Sequence, residues 1–314
     1  MHTPELYYGI DIGGTKMELV ACDENLNVCY RQRVRTPTDD YDEFVDAIVD
    51  LVQHADLSFG ARPAVGLGVP GIIDAATGTH LCANLPCLTG RALLPALSHR
   101  LESPVVIGND CQCFALSEAC GGAADGAPSM FGLIIGTGAG AGYVLDGHLV
   151  RGRNGVAGEW GHWPMAPQLL ERYRLPALPC ACGSNACLET YVSGTGLRKL
   201  FYRLTGIEGI GAEDLLVRSN AGDPVAQRVF AVHLDLMGAA LARIVLAYDP
   251  HVIVLGGGLS QLPHLYTNLP AATAAHLMPG LAVPPILLAT FGDAGGARGA
   301  ALLARQATNQ LTAQ

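Results

Sequence analysis

Apolar residues fall in short blocks along this chain, and glycine and proline clusters separate them. Residues 7–12, 16–22 and 28–34 read as three successive strands, and an amphipathic helix follows over about 41–57. Residues 65–69 form a short buried strand that ends at Pro70-Gly71. Another, at 104–107, runs into Asn109-Asp110 and a helix through Ala119. The stretch 121–128 is small and turn-rich, which suits a crossing between halves. Beyond it the pattern predicts a long helix at 224–248, a strand at 252–255 entering Gly256-Gly257-Gly258, and a helix over 262–276. A strand at 286–289, a glycine turn at 292–296 and a last helix at 297–305 follow. Three strands, a helix, then strands alternating with helices is an α/β signal.

The same glycine-broken hairpin occurs twice, at an offset of 123 positions. One copy reads Tyr8-Gly9-Ile10-Asp11-Ile12-Gly13-Gly14-Thr15-Lys16, the other Phe131-Gly132-Leu133-Ile134-Ile135-Gly136-Thr137-Gly138-Ala139. Gly9 meets Gly132, Ile12 meets Ile135, Gly13 meets Gly136 and Asp23 meets Asp146. Glycine removes the side chain that keeps a phosphate away from backbone amides, so each turn is a phosphate cradle and the pair is expected to clamp a nucleotide. Neither turn fits the Gly-x4-Gly-Lys-Ser/Thr loop or the dinucleotide fingerprint, and one alone reads more readily as a plain hairpin, a preference that the repeat reverses.

Composition narrows the class. Half of the 314 residues are hydrophobic and 15% are charged, enough to fill the core of one large or two medium domains. A net charge of −9 opposes a nucleic-acid surface. No apolar run is read as long enough to cross a bilayer. Met1-His2-Thr3-Pro4-Glu5 lacks the basic-then-apolar order of a secretory signal, so a cytoplasmic location is expected. Disulfides are not expected there among the ten cysteines. Cys22, Cys29, Cys82, Cys87, Cys111, Cys113 and Cys120 read as small buried hydrophobes.

Four groups of residues carry chemistry. Asp11 ends a buried strand, where a carboxylate is costly unless it faces a cation, and it is expected to hold Mg²⁺ through water. Gly256-Gly257-Gly258, at a strand's carboxyl end, suits close approach to an adenine or ribose, or else a helix-entry turn. Asp110, also at a strand's end, suits a general base that takes the proton of a hydroxyl attacking a terminal phosphate. The alternative makes it the cap of the helix near Cys111. Finally, Glu159-Trp160-Gly161-His162 precedes Cys180-x-Cys182-x4-Cys187-Leu188-Glu189. Three thiolates and an imidazole (His162, Cys180, Cys182, Cys187) complete a tetrahedral Zn²⁺ with no open position, a structural site. Such an ion would pin Glu159 and Glu189 toward sugar hydroxyls, and His162 would bind it through one nitrogen and orient substrate with the other. The alternative is three reduced cysteines in a loop, an unrelated histidine and two exposed glutamates.

Taken in order, Asp11-Ile12-Gly13-Gly14-Thr15-Lys16, Gly68-Val69-Pro70-Gly71, Asn109-Asp110, Gly136-Thr137-Gly138-Ala139-Gly140, Glu159-Trp160-Gly161-His162, Cys180-x-Cys182-Gly183-x3-Cys187-x-Glu189 and Leu255-Gly256-Gly257-Gly258 resemble the ROK family (repressors, open reading frames and sugar kinases) along essentially the whole chain. The resemblance implies an actin-like ATPase fold of two ribonuclease-H-like α/β domains around a cleft. Residues 1–120 with 291–314 are expected to form the smaller domain, the last helix packing back on it. Residues 121–290 form the larger, with the zinc insertion.

It also implies ATP and Mg²⁺ as cofactors, structural Zn²⁺, a sugar substrate and a homodimer. The activity implied is phosphorylation of N-acetyl-D-glucosamine at its 6-hydroxyl. Glucokinase, N-acetylmannosamine kinase and fructokinase activities are the alternatives within the family. Carried over, Asp110 matches the base, and Asn84, Asn109, Glu159, His162 and Glu189 match sugar-binding positions. Gly9-Ile10-Asp11-Ile12-Gly13-Gly14-Thr15-Lys16, Gly136-Thr137-Gly138-Ala139-Gly140-Ala141-Gly142-Tyr143 and Gly257 match the ATP segments. Two positions depart from the pattern. Gln112 replaces the usual Asn, and Cys87 follows Asn84-Leu85-Pro86 where glucose-preferring members often carry Trp, which leaves room for a 2-acetamido group. A sugar-responsive transcriptional regulator is the remaining class. Its DNA-binding helices precede the first glycine turn, whereas ten residues stand before Asp11 here.

Overall fold

Period-two alternation sends the two sides of the first strand to different partners. In the computed structural model, which describes residues 5–312 apart from Ala75, Ala83, Asp293 and Ala294, β1 (Tyr7–Ile12), β2 (Lys16–Cys22) and β3 (Val28–Arg35) form an antiparallel meander. The helix α1 (Tyr41–Phe59) follows, then β4 (Ala64–Val69), the ribbon β5 (Ile72–Ile73) and β6 (His80–Leu81), α2 (Leu93–Arg100), β7 (Val105–Asn109) and α3 (Asp110–Ala119). The sheet order is β3-β2-β1-β4-β7, with β4 parallel to both neighbours. Tyr8, Ile10 and Ile12 join the core built on α1, whose buried face runs from Phe44 to Ala55. Asp40 caps that helix, accepting from the amides of Asp42 and Glu43.

The other side of β1 meets α10 (Gly295–Thr312) at backbone distance. A Cβ on Gly9 would lie 1.9 Å from the Ala297 carbonyl oxygen, and one on Gly66 would lie 1.8 Å from that of Ala300. On the helix itself, a Cβ on Gly299 would lie 1.8 Å from the Cys113 carbonyl of α3. Arg298, buried on α10, donates to the carbonyls of Ser117 (3.0 Å) and Cys120 (2.8 Å), supplying the last carbonyls of α3 with a cationic partner. Of the glycine stretch 292–296 expected to turn, Gly295 and Gly296 belong to α10. Asp293 and Ala294 of that turn, like Ala83 before Asn84, lie outside the described residues.

The second half repeats the plan. The strands β8 (Ser129–Ile135), β9 (Ala139–Leu145) and β10 (His148–Leu149) precede α4 (Pro167–Tyr173), α5 (Glu189–Val192), α6 (Gly194–Thr205), α7 (Ala212–Asn220) and α8 (Pro224–Tyr248). Then come β11 (Val252–Gly256), α9 (Pro263–Ala274) and β12 (Ile286–Leu288). The sheet order is β10-β9-β8-β11-β12, with β11 parallel to β8 and β12. Both sheets therefore run third-second-first-fourth-fifth, and β9 coincides with β2 displaced by the 123-residue offset. Contacts divide the chain into one unit of Met1–Gly122, Gly142–Ala157 and Asp293–Gln314 and another of Ala123–Ala141 and Gly158–Gly292.

Two expectations need correcting. Contrary to the reading of its apolar runs, α8 is long and apolar enough to cross a membrane by composition, with a mean hydropathy of 1.8 over its best stretch. Yet 72% of that stretch is buried against the protein, as in a core helix. Cys29 is exposed on the edge strand β3, and Cys87, Cys111 and Cys120 are half-buried, so of the seven only Cys22, Cys82 and Cys113 are fully interior.

Substituting Gly66→Ala is expected to cost about 3 kcal/mol or more, because the new methyl meets a main-chain oxygen that the sheet and α3 hold in place. Gly60→Ala, at the left-handed cap of α1 with open space around it, is expected to cost only about 1 kcal/mol. Urea unfolding compares the two. Equal midpoints would contradict the close helix–sheet contact.

Candidate functional site

In the first unit the β1–β2 turn closes through the Gly13 amide, which donates to the Lys16 carbonyl (2.9 Å). Thr36 ties the turn down by donating its hydroxyl to the Gly13 carbonyl (2.7 Å) and its amide to that of Thr15 (3.1 Å). Gly14, Thr15 and Lys16 are exposed. A Cβ on Gly14 would lie 3.2 Å from the Asn84 carbonyl, so this turn and the Asn84 segment are neighbours. Asp11 shares the α10 side of β1. A Cβ on Gly296 would lie 2.6 Å from its carboxyl carbon, which places the carboxylate over the first turn of α10, where the helix dipole favours negative charge. Gly9 lies against α10, and Ile10 and Ile12 lie in the core.

Asn109, not Asp110, caps α3. Its Oδ1 accepts from the amides of Cys111 (2.9 Å) and Gln112 (3.2 Å), and its Nδ2 donates to the Gly71 carbonyl (3.1 Å). Asp110 is therefore the first helical residue, half-buried, with its Oδ1 accepting from the Cys111 amide (2.9 Å). Burial pushes its carboxyl pKa up, against the opposing pull of the Cys111 amide. Gln112 is buried and donates its amide to the carbonyls of Gly155 (2.9 Å) and Ala157 (3.3 Å), an anchor that uses its extra methylene. Gly142 approaches α3 as well, at Ala115 and Gln112.

In the second unit the chain Glu159–His162 is pressed onto the start of β9. The buried Trp160 donates its indole N–H to the Gly140 carbonyl (3.0 Å), and a Cβ on Gly161 would lie 2.0 Å from the Ala139 oxygen. His162 Nδ1 lies 3.6 Å from Cys180 Sγ, while its Nε2 lies 3.9 Å from Glu159 Oε2. Cys182 and Cys187 sulfurs are 3.6 Å apart, and the ligand atoms of His162, Cys180, Cys182 and Cys187 all lie within 4.8 Å of one another. A tetrahedral ion with Zn–S bonds of about 2.3 Å holds its sulfurs roughly 3.8 Å apart, so the spacing of the four groups is compatible with zinc once the Cys180 thiol gives up its proton. The Ser184 amide, followed by its thiol neighbours, brings the exposed Cys182 thiol down to about 7.

Glu189 begins α5 and lies over the β8–β9 turn. Its Oε1 accepts from the Cys180 thiol (3.1 Å) and its Oε2 from the Ala139 amide (3.3 Å), and a Cβ on Gly138 would lie 2.9 Å from Oε2. Two further segments reach the same turn. Gly194 donates its amide to the Gly136 carbonyl (2.8 Å), and Gly257, at φ 81°, packs on the Ile135 backbone ahead of it. Ser193-Gly194 escaped the sequence pattern, although a Ser-Gly-Thr-Gly run at a helix start was a legible signal.

The sequence-derived residues thus assemble within each unit. Gly13–Lys16 gather with Asn84, and Asn109 with Asp110, in the first. Gly136–Gly140, Glu159, His162, the three cysteines, Glu189 and Gly257 gather in the second.

The family model described as "ROK family" matches residues 7–307. An N-acetylgalactosamine kinase of Shewanella sp. (strain ANA-3) is 44% identical over 301 residues, covering 95% of this chain and 96% of that one. An N-acetyl-D-glucosamine kinase of Haemophilus influenzae (strain 86-028NP) is also 44% identical over 301 residues, covering 95% and 99%. Among solved structures, the ROK hexokinase of Thermus thermophilus superposes with a TM-score of 0.87 at 30% identity, covering 97% and 99%. A ROK family glucokinase of Streptomyces griseus, in complex with glucose and AMPPNP, gives 0.78 at 31% identity, covering 96% and 99%.

Proposed function

The chain belongs to the ROK family and has its actin-like ATPase fold, and from that premise we propose that it transfers the terminal phosphoryl group of ATP to the 6-hydroxyl of N-acetyl-D-glucosamine. The observation that carries this reading is full-length likeness, at 39–44% identity, to several kinases named for that sugar. A second reading, in which N-acetylgalactosamine is the better substrate, has equal identity to its own named relative in support. The two sugars differ only in the hydroxyl configuration at carbon 4.

In the first unit Asp110 is the base. Because Asn109 takes over the cap, the Asp110 carboxylate keeps lone pairs for a sugar hydroxyl, and its raised pKa improves it as a proton acceptor. Asn109 keeps one amide N–H for the sugar after donating the other to Gly71. The turn at Gly13–Lys16 offers amides and a cation to phosphate oxygens. Asp11 is the residue that would hold Mg²⁺ through water, and that ion, when bound, neutralises phosphate charge. In the second unit, Glu159 and Glu189 accept from sugar hydroxyls, and His162 presents Nε2 on the side away from the thiols. His162, Cys180, Cys182 and Cys187 would hold one structural Zn²⁺, fixing the loop that carries both glutamates.

A coupled assay over glucose, fructose, mannose, N-acetylglucosamine, N-acetylmannosamine and N-acetylgalactosamine is expected to give the highest kcat/KM for N-acetylglucosamine. A maximum at N-acetylgalactosamine replaces the first reading with the second, and turnover with no sugar defeats both. Asp110→Asn is expected to lower kcat by about 10²–10⁴-fold with sugar affinity little changed. In the wild type, kcat/KM is expected to fall as pH drops through a pKa above the ordinary carboxylate value of 3.8, since the base works only when deprotonated. An acid limb at or below that value would contradict the role. Elemental analysis is expected to find one zinc per chain, lost in Cys187→Ser. A zinc-free wild type would refute the metal assignment.

A further inference from the structure

A histidine in the middle of a buried apolar helix is costly unless its polar atoms are used. His233 lies fully buried on α8, between Val232 and Leu236 of the core face. Its Nε2 is 2.9 Å from the Val192 carbonyl oxygen, and its Nδ1 has no hydrogen-bond partner. A carbonyl only accepts, so the proton is on Nε2. Burial pushes the imidazole pKa down to about 4 and nearby His264 adds to this, while the Val192 bond opposes it, so the ring is a neutral donor near neutral pH.

The carbonyl it serves is orphaned by a break in the chain. Val192 ends α5, and Ser193 is extended (φ −74°, ψ 172°) and caps α6 by accepting from the Gly196 amide (3.1 Å). The break is tight, for a Cβ on Gly196 would lie 2.4 Å from the Tyr191 carbonyl carbon. It also has a use. Before it, Glu189 lies over Gly138 and Ala139; after it, Gly194 donates to Gly136. One short kink thus places a carboxylate and a backbone amide on the same β8–β9 turn, and an uninterrupted helix would give up that pairing.

We propose that His233 is a positioning residue for phosphoryl transfer, its Nε2–H fixing the α5–α6 break and thereby holding Glu189 and Gly194 against the Gly136–Ala139 turn. The proposal rests on the kinase reading above. Nothing in it requires His233 to touch either substrate.

The test compares His233→Leu, His233→Asn and His233→Gln with the wild type in kcat, in KM for ATP and for the sugar, and in melting temperature. Glutamine carries an N–H at about the reach of Nε2; asparagine is too short, and leucine has none. Both Leu and Asn variants are expected to lose at least about tenfold in kcat/KM, with KM for ATP and for sugar both raised, because a displaced kink misaligns both partners of the turn. The Gln variant is expected to recover to within about threefold of wild type, even where its melting temperature is no higher than that of the Asn variant. Rescue by Gln but not by Asn supports the role whether or not the Leu variant folds. If the Asn variant keeps wild-type constants, or Gln is no better than Asn while the wild type is active, the role is overturned. A wild type that phosphorylates no sugar overturns the kinase reading and the role with it.

Discussion

The first unit depends on a helix lying closer to a sheet than any side chain allows. Where α10 crosses β1 and β4, Gly9 and Gly66 let main chain meet main chain, and Gly299 does the same toward α3. Contact at that distance excludes water, and it fixes the helix in register as well as in depth. Two chemical consequences follow. The first turn of α10 is brought under the Asp11 carboxylate, and Arg298 reaches the last carbonyls of α3, the helix that begins with Asp110. Asp110, the proposed base, is thus seated at one end of a helix whose other end is held by a buried cation.

The second unit applies the same constraint around a turn. Gly161 slides past Ala139, Gly194 bonds to Gly136, and Gly257 rests on Ile135, so backbone braces both flanks of the β8–β9 turn while Thr137 and Gly138 at its tip stay exposed. Side chains then add charge. Glu189 bridges the turn and Cys180, and His162 stands between the thiols and Glu159 with a different nitrogen toward each. Cys180 and His162 of the cysteine cluster are therefore in direct contact with the two carboxylates proposed for the sugar.

Most of the strand framework was legible, because the repeat carries its own internal check. β2 and β9 occupy equivalent positions under the offset even though Ala139-Gly140-Ala141-Gly142 has almost no β-propensity, the ladder and close neighbours deciding the outcome instead. The clustering of His162, Cys180, Cys182 and Cys187 was legible from residue type and spacing alone. The cap of α3 was not, since Asn109 and Asp110 are both good caps and only geometry shows which one bonds the free amides. The helices α2, α4, α6 and α7 are short and lie where turn residues mask their period, and the buried histidine of α8 looks like any polar interruption. Gln112, a departure from the family pattern, gained a reason only once the carbonyls of Gly155 and Ala157 were seen within its reach.

The helix that covers β1 and β4 comes from the far end of the chain, and translation has a direction. The strands bearing Gly9 and Gly66 leave the ribosome long before Ala297 and Ala300 are made, so one apolar side of that sheet waits uncovered through most of synthesis. A chain that stops before α10 leaves that surface uncovered, the kind of exposed apolar face that chaperones and proteases act on.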